Sequence, residues 1–545
     1  MAVGSNSKSE ESEAGRILAR FALFAFLTLA GLPGGPAFRA QSRPAAVSEA
    51  LAAWERGEAE RARTLLEEAL KTDPRNTTAL TVLGLIADRA GDLAESERRF
   101  KQVVKLDPNS PATRNNYGAI LLKLGRRQEA AEQFKASLDL DPRQLSALVN
   151  LAQLRAALGT REELRAAWDL FERAAAIAPD AEIARAQTVI ALQLGDREAA
   201  IRSYQAYTRL SVSPSPAVEA RAELGSALLE AGLFREAATE LTAAVQAAPS
   251  NPETIWRLAK AHLELGELPA AGRTLEAAIV RGVETAPIYA LLATIYEKTG
   301  HLEQAIPAMR LALERDPQSE QQHFAYGMLL TNAMAPAAAA IRLEESLRRF
   351  PDSSRLWFAL GIAHFKQNQN PEATRAFSRA AELDPKFAAP LVYLGMTEVE
   401  KGAYEEALTH YQRALAIQSS LGIVNYLIAD ALTRQSAADP ARIEAALQRT
   451  IQLEPSFAPA RLALAKLQLR ANRLEEARAE LERVIALDPK AAEAHYQLGR
   501  LYSRLRKMDE ARASMARFQE LSETEKEQGL KERQQIIERL AKTRF

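Results

Sequence analysis

The sequence predicts an all-α fold built as a solenoid of antiparallel helix pairs. Ala, Leu, Glu and Arg, which are strong helix formers, dominate many windows, and β-branched runs of strand length are scarce. The chain has 545 residues, more than a single hydrophobic core organises. Short phrases such as "KLDP", "ELDP" and "ALDP" return along the whole chain, as expected for a repeat architecture.

These phrases recur with a fixed period. Their prolines stand 34 residues apart in three runs along the chain, which are Pro74, Pro108 and Pro142, then Pro317, Pro351 and Pro385, then Pro455 and Pro489. We number each repeat so that this proline is position 32. Position 8 is then small, position 15 is often glycine, position 20 is nearly always alanine and position 24 is large.

Each of these positions has a physical reason. Small residues at positions 8 and 20 let two helices approach closely, and the large residue at position 24 fills the space beside them. Glycine at position 15 can adopt the left-handed conformation that ends the first helix of a pair. Proline lacks an N–H and disfavours a helical conformation in the residue before it, so the second helix ends there. We expect the leucine of each phrase to be buried and its Asp-Pro to form the turn.

This pattern resembles the tetratricopeptide repeat family. The resemblance covers residues 43–520 as an array of about 14 repeats. It implies a right-handed superhelix of antiparallel helix pairs whose inner surface, lined by positions 2, 5, 9, 12 and 13 of the first helices, binds proteins or peptides. Some repeats depart from the pattern, and one has three extra residues within 160–163. Residues 521–545 are predicted to form a charged C-terminal helix that caps the array.

The N-terminus predicts export. Arg16 and Arg20 precede the apolar residues 21–32, and small residues and helix breakers follow. This order is typical of a cleaved signal peptide within residues 1–40, although an uncleaved membrane anchor is the alternative. The repeats are expected to be periplasmic or secreted, or else held outside the cytoplasm by an inner-membrane anchor. Membrane contact is expected only through residues 17–32, if that segment is retained.

Composition and motifs argue against a catalytic, metal-binding or nucleic-acid-binding function. The 70 Lys and Arg balance 70 Asp and Glu, so no summed positive field attracts nucleic acid. The chain has no cysteine, which excludes disulfides and thiolate sites, and it carries no phosphate-binding loop or metalloprotease motif. His262, His323, His364 and His495 occupy packing positions. We therefore expect no catalytic residue, no metal site, no cofactor and no enzymatic activity.

Two candidate surfaces follow from the family's inner positions. The first is an apolar groove for a partner segment, comprising Trp256, Phe324, Met328, Phe358, Ile362, Phe365 and Met396. The second is a basic end of that groove, comprising Lys466, Arg470, Arg500 and Arg504. A groove of this kind would suit a peptide with hydrophobic anchors and acidic residues. The alternatives are core packing against the neighbouring repeat for the first set and an ordinary solvated helix face for the second.

The function predicted from these features is an exported, non-catalytic scaffold that binds a protein or peptide partner, in envelope assembly or secretion. The rival interpretation is an accessory or regulatory subunit of a membrane polysaccharide synthase or glycosyltransferase system. Asn115, Asn116 and Lys123 only loosely resemble the clamp with which some tetratricopeptide repeats bind chaperone tails, so that function is not carried over.

Overall fold

The computed structural model describes residues 45–211, 217–435 and 439–522. Within these ranges the chain forms 28 α-helices and no strand. The helices pair in chain order, so odd-numbered helices are the first of each pair and even-numbered helices the second. The predicted signal or anchor in residues 1–40 and residues 523–545 of the predicted capping helix lie outside the described residues.

The chain divides into two compact units, residues 1–283 and 284–545. Unit 1 contains α1 (Ala45–Glu55), α2 (Ala59–Thr72), α3 (Thr77–Arg89), α4 (Leu93–Leu106), α5 (Pro111–Lys123), α6 (Arg127–Leu140), α7 (Leu145–Ala156), α8 (Arg161–Ile177), α9 (Ala181–Leu194), α10 (Arg197–Leu210), α11 (Val218–Glu230), α12 (Phe234–Ala247), α13 (Pro252–Glu264) and α14 (Leu268–Val280). Unit 2 contains α15 (Ala286–Lys298), α16 (Leu302–Arg315), α17 (Glu320–Asn332), α18 (Pro336–Arg349), α19 (Ser354–Lys366), α20 (Asn370–Leu383), α21 (Ala388–Lys401), α22 (Tyr404–Ile417), α23 (Gly422–Arg434), α24 (Pro440–Leu453), α25 (Ala458–Arg470), α26 (Leu474–Leu487), α27 (Ala492–Arg504) and α28 (Met508–Ser522).

The recurring phrase forms the turn between pairs, as predicted. Its aspartate follows the last residue of the second helix, and its carboxylate accepts the backbone N–H two residues on, closing an Asx turn. The bonds are Asp107 to Asn109, Asp141 to Arg143, Asp384 to Lys386 and Asp488 to Lys490, at 2.9–3.3 Å. Because this acceptor fixes the turn, the acid in the phrase has a structural role.

The expectation that the leucine of the phrase is buried is wrong. Leu140 and Leu487 are exposed, and Leu106 and Leu383 are only partly buried. The helical period explains this, because 3.6 residues per turn place position 30 about a quarter turn away from positions 20, 24 and 27, whose side chains face the first helix. The buried contact of the second helix therefore ends one turn before the proline.

The predicted close approach of the two helices in a pair is confirmed. A Cβ added to Gly361 at position 8 would lie 2.4 Å from the Phe377 ring, and one on Gly395 would lie 2.3 Å from the Tyr411 ring. Ala373 at position 20 is fully buried beside them. The aromatic ring at position 24 thus occupies the volume that a side chain at position 8 would need.

Position 15 ends the first helix in the left-handed conformation, as predicted. The glycines there have φ values of 73–80°, including Gly91, Gly125, Gly232, Gly266, Gly300 and Gly402. Four repeats adopt the same conformation with a different residue, namely Met334, Asn368, Asn472 and Arg506, with φ of 56–61°. The turn thus imposes this backbone even where the residue disfavours it.

Successive first helices within each unit are joined by polar contacts at a constant separation of 35 residues. The side chain at position 13 of one repeat donates a hydrogen bond to an oxygen atom of the residue at position 12 of the preceding repeat. The donors and acceptors are Lys123 to Asp88 at 2.6 Å, Asn332 to Glu297 at 3.0 Å, Lys366 to the carbonyl of Thr331 at 3.3 Å and Arg504 to the carbonyl of Leu469 at 3.4 Å. These links stand near the C-terminal ends of the first helices.

Candidate functional site

Four of the seven residues proposed for the apolar groove are buried in unit 2. Phe358, Ile362 and Phe365 of α19 and Met396 of α21 belong to one hydrophobic cluster, and Phe365 is only 2% exposed. Phe358 and Phe365 both meet Tyr393 edge to face, with ring centroids 5.5 and 5.9 Å apart. Core packing between successive first helices therefore accounts for these four side chains, and they offer a partner little surface.

The other three proposed groove residues are half-buried. Phe324 and Met328 lie one turn apart on α17, and both pack against the cluster that includes Leu343. The Arg355 guanidinium lies 4.8 Å from the centre of the Phe324 ring, a cation–π geometry. Trp256 lies on α13 in unit 1. Exposed apolar area on the predicted face is thus smaller than the sequence suggested.

The four basic residues proposed for the end of the groove line one pocket. Lys466 and Arg470 of α25 face Arg500 and Arg504 of α27 across an open cavity of about 440 Å³. Each pair occupies positions 9 and 13 of its repeat, so the 34-residue period brings like charges onto adjacent helices. We call this cavity the basic pocket.

Neighbouring groups engage part of the charge in the basic pocket. Lys466 forms a 3.0 Å ion pair with Glu493, and Arg504 donates a 2.7 Å hydrogen bond to Asn472. The Arg500 guanidinium lies 5.6 Å from the centre of the Tyr496 ring. Glu493 supplies the one carboxylate that lines the pocket against four cations. The arrangement can accept an anionic group, because guanidinium groups bind carboxylates with paired hydrogen bonds.

A second pocket lies in unit 1, where the sequence did not indicate a site. It has a volume of about 240 Å³, lies between the first helices α7 and α9, and is closed behind by Phe171 of α8. Its walls are mostly apolar, with Leu145, Val149, Ile183 and Ala186 among them. We call it the α7–α9 pocket. The three extra residues lengthen α8 to 17 residues, against 14 in α6, and they obscured the register of this repeat.

The histidines have structural contacts. His323 and His495, at position 4, each place Nε2 3.2 Å from the carbonyl oxygen of the preceding proline, Pro317 or Pro489. His262 and His364, at position 11, each place Nδ1 2.7 Å from a side-chain oxygen, of Glu267 and Gln369 respectively. His410 is half-buried, which lowers its pKa.

Polar side chains of α5 and α7 form hydrogen bonds with one another. Asn150 donates a 2.9 Å hydrogen bond to Asn115, and Asn115 donates a 3.3 Å bond to Asn116. Lys123, the third residue of the loosely clamp-like set, is held by Asp88 at 2.6 Å. These contacts join successive first helices, which gives the asparagines a structural role.

Unit 1 also buries a carboxylate. Glu240 of α12 is 2% exposed, and it accepts hydrogen bonds from the hydroxyls of Tyr204 and Tyr207 at 3.0 and 3.5 Å. The Arg221 guanidinium lies 3.4 Å from Oε2, the same oxygen that the Tyr207 hydroxyl reaches. Burial raises the pKa of Glu240, and it raises the pKa of Tyr207 to about 12. The group is formed by side chains of α10, α11 and α12.

Within the described ranges, no cluster of three or more His, Asp or Glu has the geometry to hold a metal ion. None of the described helices combines the length and hydropathy needed to cross a bilayer.

Sequence models described as tetratricopeptide repeat match most of the chain. One model matches residues 47–111, 189–252, 335–386, 360–422 and 462–525, which together exceed half of the sequence. Two others match residues 89–153, 228–291, 435–487 and 286–319.

Curated relatives share short stretches with the chain. Superkiller protein 3 of Schizosaccharomyces pombe is 28% identical over 122 residues, which are 22% of this chain and 9% of that protein. Anaphase-promoting complex subunit 3 of the same yeast is 22% identical over 179 residues, 33% of this chain and 27% of the relative. Type IV pilus assembly protein PilF of Pseudomonas aeruginosa is 25% identical over 161 residues, 29% of this chain and 64% of the relative. The chain thus spans less than two thirds of the length of each.

Solved structures with matching helical arrays include the APC/C hetero-tetramer Cut9-Hcn1, with a TM-score of 0.38 at 16% identity, covering 83% of this chain and 95% of that one. Yeast Tom70 has a TM-score of 0.38 at 17% identity, covering 85% and 95%.

Proposed function

Because the chain belongs to the tetratricopeptide repeat family, we propose that it is an exported, non-catalytic scaffold that binds a protein partner through the first helices of its repeats. Stacked repeats of this kind present extended binding surfaces built from equivalent positions. The observation that carries the proposal is the basic pocket, where four cations from two successive first helices converge on one cavity of about 440 Å³. The partner contributes a segment with acidic side chains.

The basic pocket is suited to carboxylates. Arg470, Arg500 and Arg504 are exposed, so their guanidinium groups reach a ligand without breaking the apolar core. Exposed charges are screened by salt over roughly 8–10 Å at physiological ionic strength. Binding is therefore strongest at low salt, and electrostatic attraction accelerates the encounter.

The half-buried Phe324 and Met328 of the same unit supply a place for an apolar side chain of the partner. Methionine is flexible and polarizable, so this surface adapts to more than one apolar side chain. Phe358, Ile362, Phe365 and Met396 serve this function indirectly, since they hold the neighbouring first helices together.

Export is supported by Arg16 and Arg20 ahead of the apolar residues 21–32. Mass spectrometry of the protein from a bacterial host tests it. We expect a mature terminus after residue 37 or residue 40 in the exported fraction. An intact Met1 or Ala2 terminus in the soluble cytosolic fraction would contradict export and leave the binding proposal standing.

Fluorescence anisotropy tests the basic pocket. The probe is a labelled peptide with a leucine followed by three glutamates in a glycine–serine background, titrated with the full-length chain. We expect binding that weakens with added salt and is lost in the double variant Arg500→Glu, Arg504→Glu.

The matched control for this experiment is Arg483→Glu with Arg512→Glu. It makes the same change in charge on the second helices α26 and α28, outside the pocket. Equal loss of binding in both double variants would show that net charge, and not the pocket, holds the peptide. Unchanged binding in both would place the peptide on another face.

A further inference from the structure

We propose that the α7–α9 pocket is a second peptide site, which takes one large hydrophobic side chain followed by a basic residue. The inference rests on the proposed function only in assuming that the first helices present the binding face. It differs in ligand chemistry, because the basic pocket selects acidic residues. The two sites lie in different units of the chain.

The size of the α7–α9 pocket selects a single side chain. Sites for whole small-molecule ligands have volumes of roughly 300–1,000 Å³, whereas this one has about 240 Å³. Val149 and Ile183 face each other across it from α7 and α9, and Phe171 closes the back. An apolar side chain that enters displaces water from these walls and gains their dispersion contacts.

The charged lining of the pocket is acidic on balance. Asp180 and Glu182 line it with one cation, the buried Arg185. That cation is already paired with Glu182 at 2.6 Å. Glu223 of α11 lies within electrostatic range of Arg185 as well. The cation is thus matched by surrounding carboxylates, and the remaining negative charge favours a lysine or arginine beside the anchor.

The N-terminus of α9 does not offset this preference. Its free N–H groups would attract an anion, but the Asp180 carboxylate already accepts from the N–H groups of Glu182 and Ile183, at 2.8 and 3.4 Å. An acidic residue of a partner would therefore meet a carboxylate and not a vacant helix end. The helix terminus therefore leaves the selection against acids in place.

Two polar side chains of α7 flank the anchor position and can hold an extended peptide backbone. Ser146 and Gln153 both line the pocket, at positions 2 and 9 of the repeat, one on each side of Val149. Neither is fully buried. A hydroxyl and an amide offer both donors and acceptors, which a peptide backbone in extended conformation requires.

The experiment is anisotropy with the full-length chain and three labelled peptides in a glycine–serine background. The first has phenylalanine followed by two lysines, the second has serine in place of phenylalanine, and the third has two glutamates in place of the lysines. We expect the first peptide to bind at least tenfold more tightly than either of the others.

Variants of the pocket locate the binding. Ala186→Phe fills the cavity and should weaken binding of the first peptide at least tenfold. Ala290→Phe, at the equivalent position 5 of α15, should leave that binding unchanged. Asp180→Ser keeps a residue that caps the helix but removes its charge, and it should weaken binding by about threefold, as for a rim charge. Gln153→Arg, which adds a cation at the mouth without filling it, should act in the same direction if Ala186→Phe fails to fold.

The outcomes are distinct from those at the basic pocket. The double variant Arg500→Glu, Arg504→Glu should bind the phenylalanine–lysine peptide as the unaltered chain does. If that peptide fails to bind, or binds equally well to Ala186→Phe folded by circular dichroism, the inference is overturned while the acidic-peptide site stands. Equal binding of the lysine and glutamate peptides would overturn the charge selection and therefore the proposed ligand.

Discussion

The indole nitrogen of Trp357 donates a 2.8 Å hydrogen bond to the carbonyl oxygen of Pro351, six residues earlier. The carbonyl follows the end of the second helix, so no helical N–H is available to it. Position 4 of other repeats supplies the same bond with a different residue. The donors are Arg114 to Pro108 and Arg461 to Pro455, and His323 and His495 make the equivalent contact to Pro317 and Pro489.

The first prediction is that Trp357→Phe lowers the stability of unit 2 by about 1 kcal/mol, the typical net value of such a hydrogen bond. A smaller phenyl ring replaces the indole, and the N–H donor is lost. Urea denaturation followed by circular dichroism measures the change. Trp256→Phe is the control, because this indole, at position 5, does not bond to a proline carbonyl. Equal losses in the two variants would assign the effect to ring size.

The second prediction concerns the contact between positions 8 and 24. Gly361→Ala should destabilise unit 2 by about 1–3 kcal/mol, since the added methyl overlaps the Phe377 ring and forces repacking. Adding Phe377→Leu should restore part of the loss, because alanine at position 8 accompanies leucine at position 24 in Ala259 with Leu275 and in Ala465 with Leu481. Thermal unfolding of the single and double variants measures this. Additive losses would contradict the packing account.

The third prediction is that Met334→Gly stabilises the protein by about 1 kcal/mol, because it removes the cost of a left-handed residue with a side chain. Met334 has φ of 58° and is 86% exposed, so little packing is lost with its side chain. Gly300→Ala, at the same position of the preceding repeat, should have the opposite sign. A lower melting temperature for Met334→Gly would show that methionine is not strained there.

The fourth prediction follows from the raised pKa of Glu240. Its folded pKa exceeds the unfolded value, so the native state binds more protons between the two values. The contribution of Glu240 to stability is present below about pH 4.5, its ordinary pKa, and is lost as pH rises through the raised one. Glu240→Gln should remove that loss.

The Trp357→Phe background makes this measurable, because the remaining tryptophans, Trp54, Trp168 and Trp256, all lie in unit 1. Their fluorescence reports the urea midpoint of that unit from about pH 4 to pH 8. The urea midpoint of the Glu240→Gln chain should rise relative to that of its parent as pH rises. A difference that is constant with pH would mean that Glu240 does not titrate in this range.

Much of the fold was predictable because the repeat fixes local chemistry at fixed spacing. Gly361 and Phe377 stand 16 residues apart in one repeat, and their contact lies within a single helix pair. The left-handed turn at Gly300 and the Asx turn at Asp384 are equally local. Such features depend on the backbone of one repeat, which the period specifies.

The candidate sites depend on the distance between successive first helices, and the sequence does not state that distance. Phe365 lies on the predicted inner face, yet Tyr393 of the next repeat covers it. Lys466 and Arg500 lie on the same face, but their repeats leave a cavity open between them. To find the α7–α9 pocket from the sequence, one would have to recognise that the three extra residues within 160–163 lengthen α8. The positions of α7, which precede them, then keep their register.

The links between successive first helices give the array a mechanical property. Lys366 bonds to Thr331 and Asn332 bonds to Glu297 across the same separation of 35 residues, so these helix pairs are each joined to the preceding pair by a short polar contact. Each repeat contacts only its neighbours, so under tension applied at the ends of a unit we expect the pairs to separate one at a time. Each released pair contributes 34 residues, or roughly 110–120 Å of extended chain. Extension of a unit pair by pair would therefore proceed in steps of about one repeat.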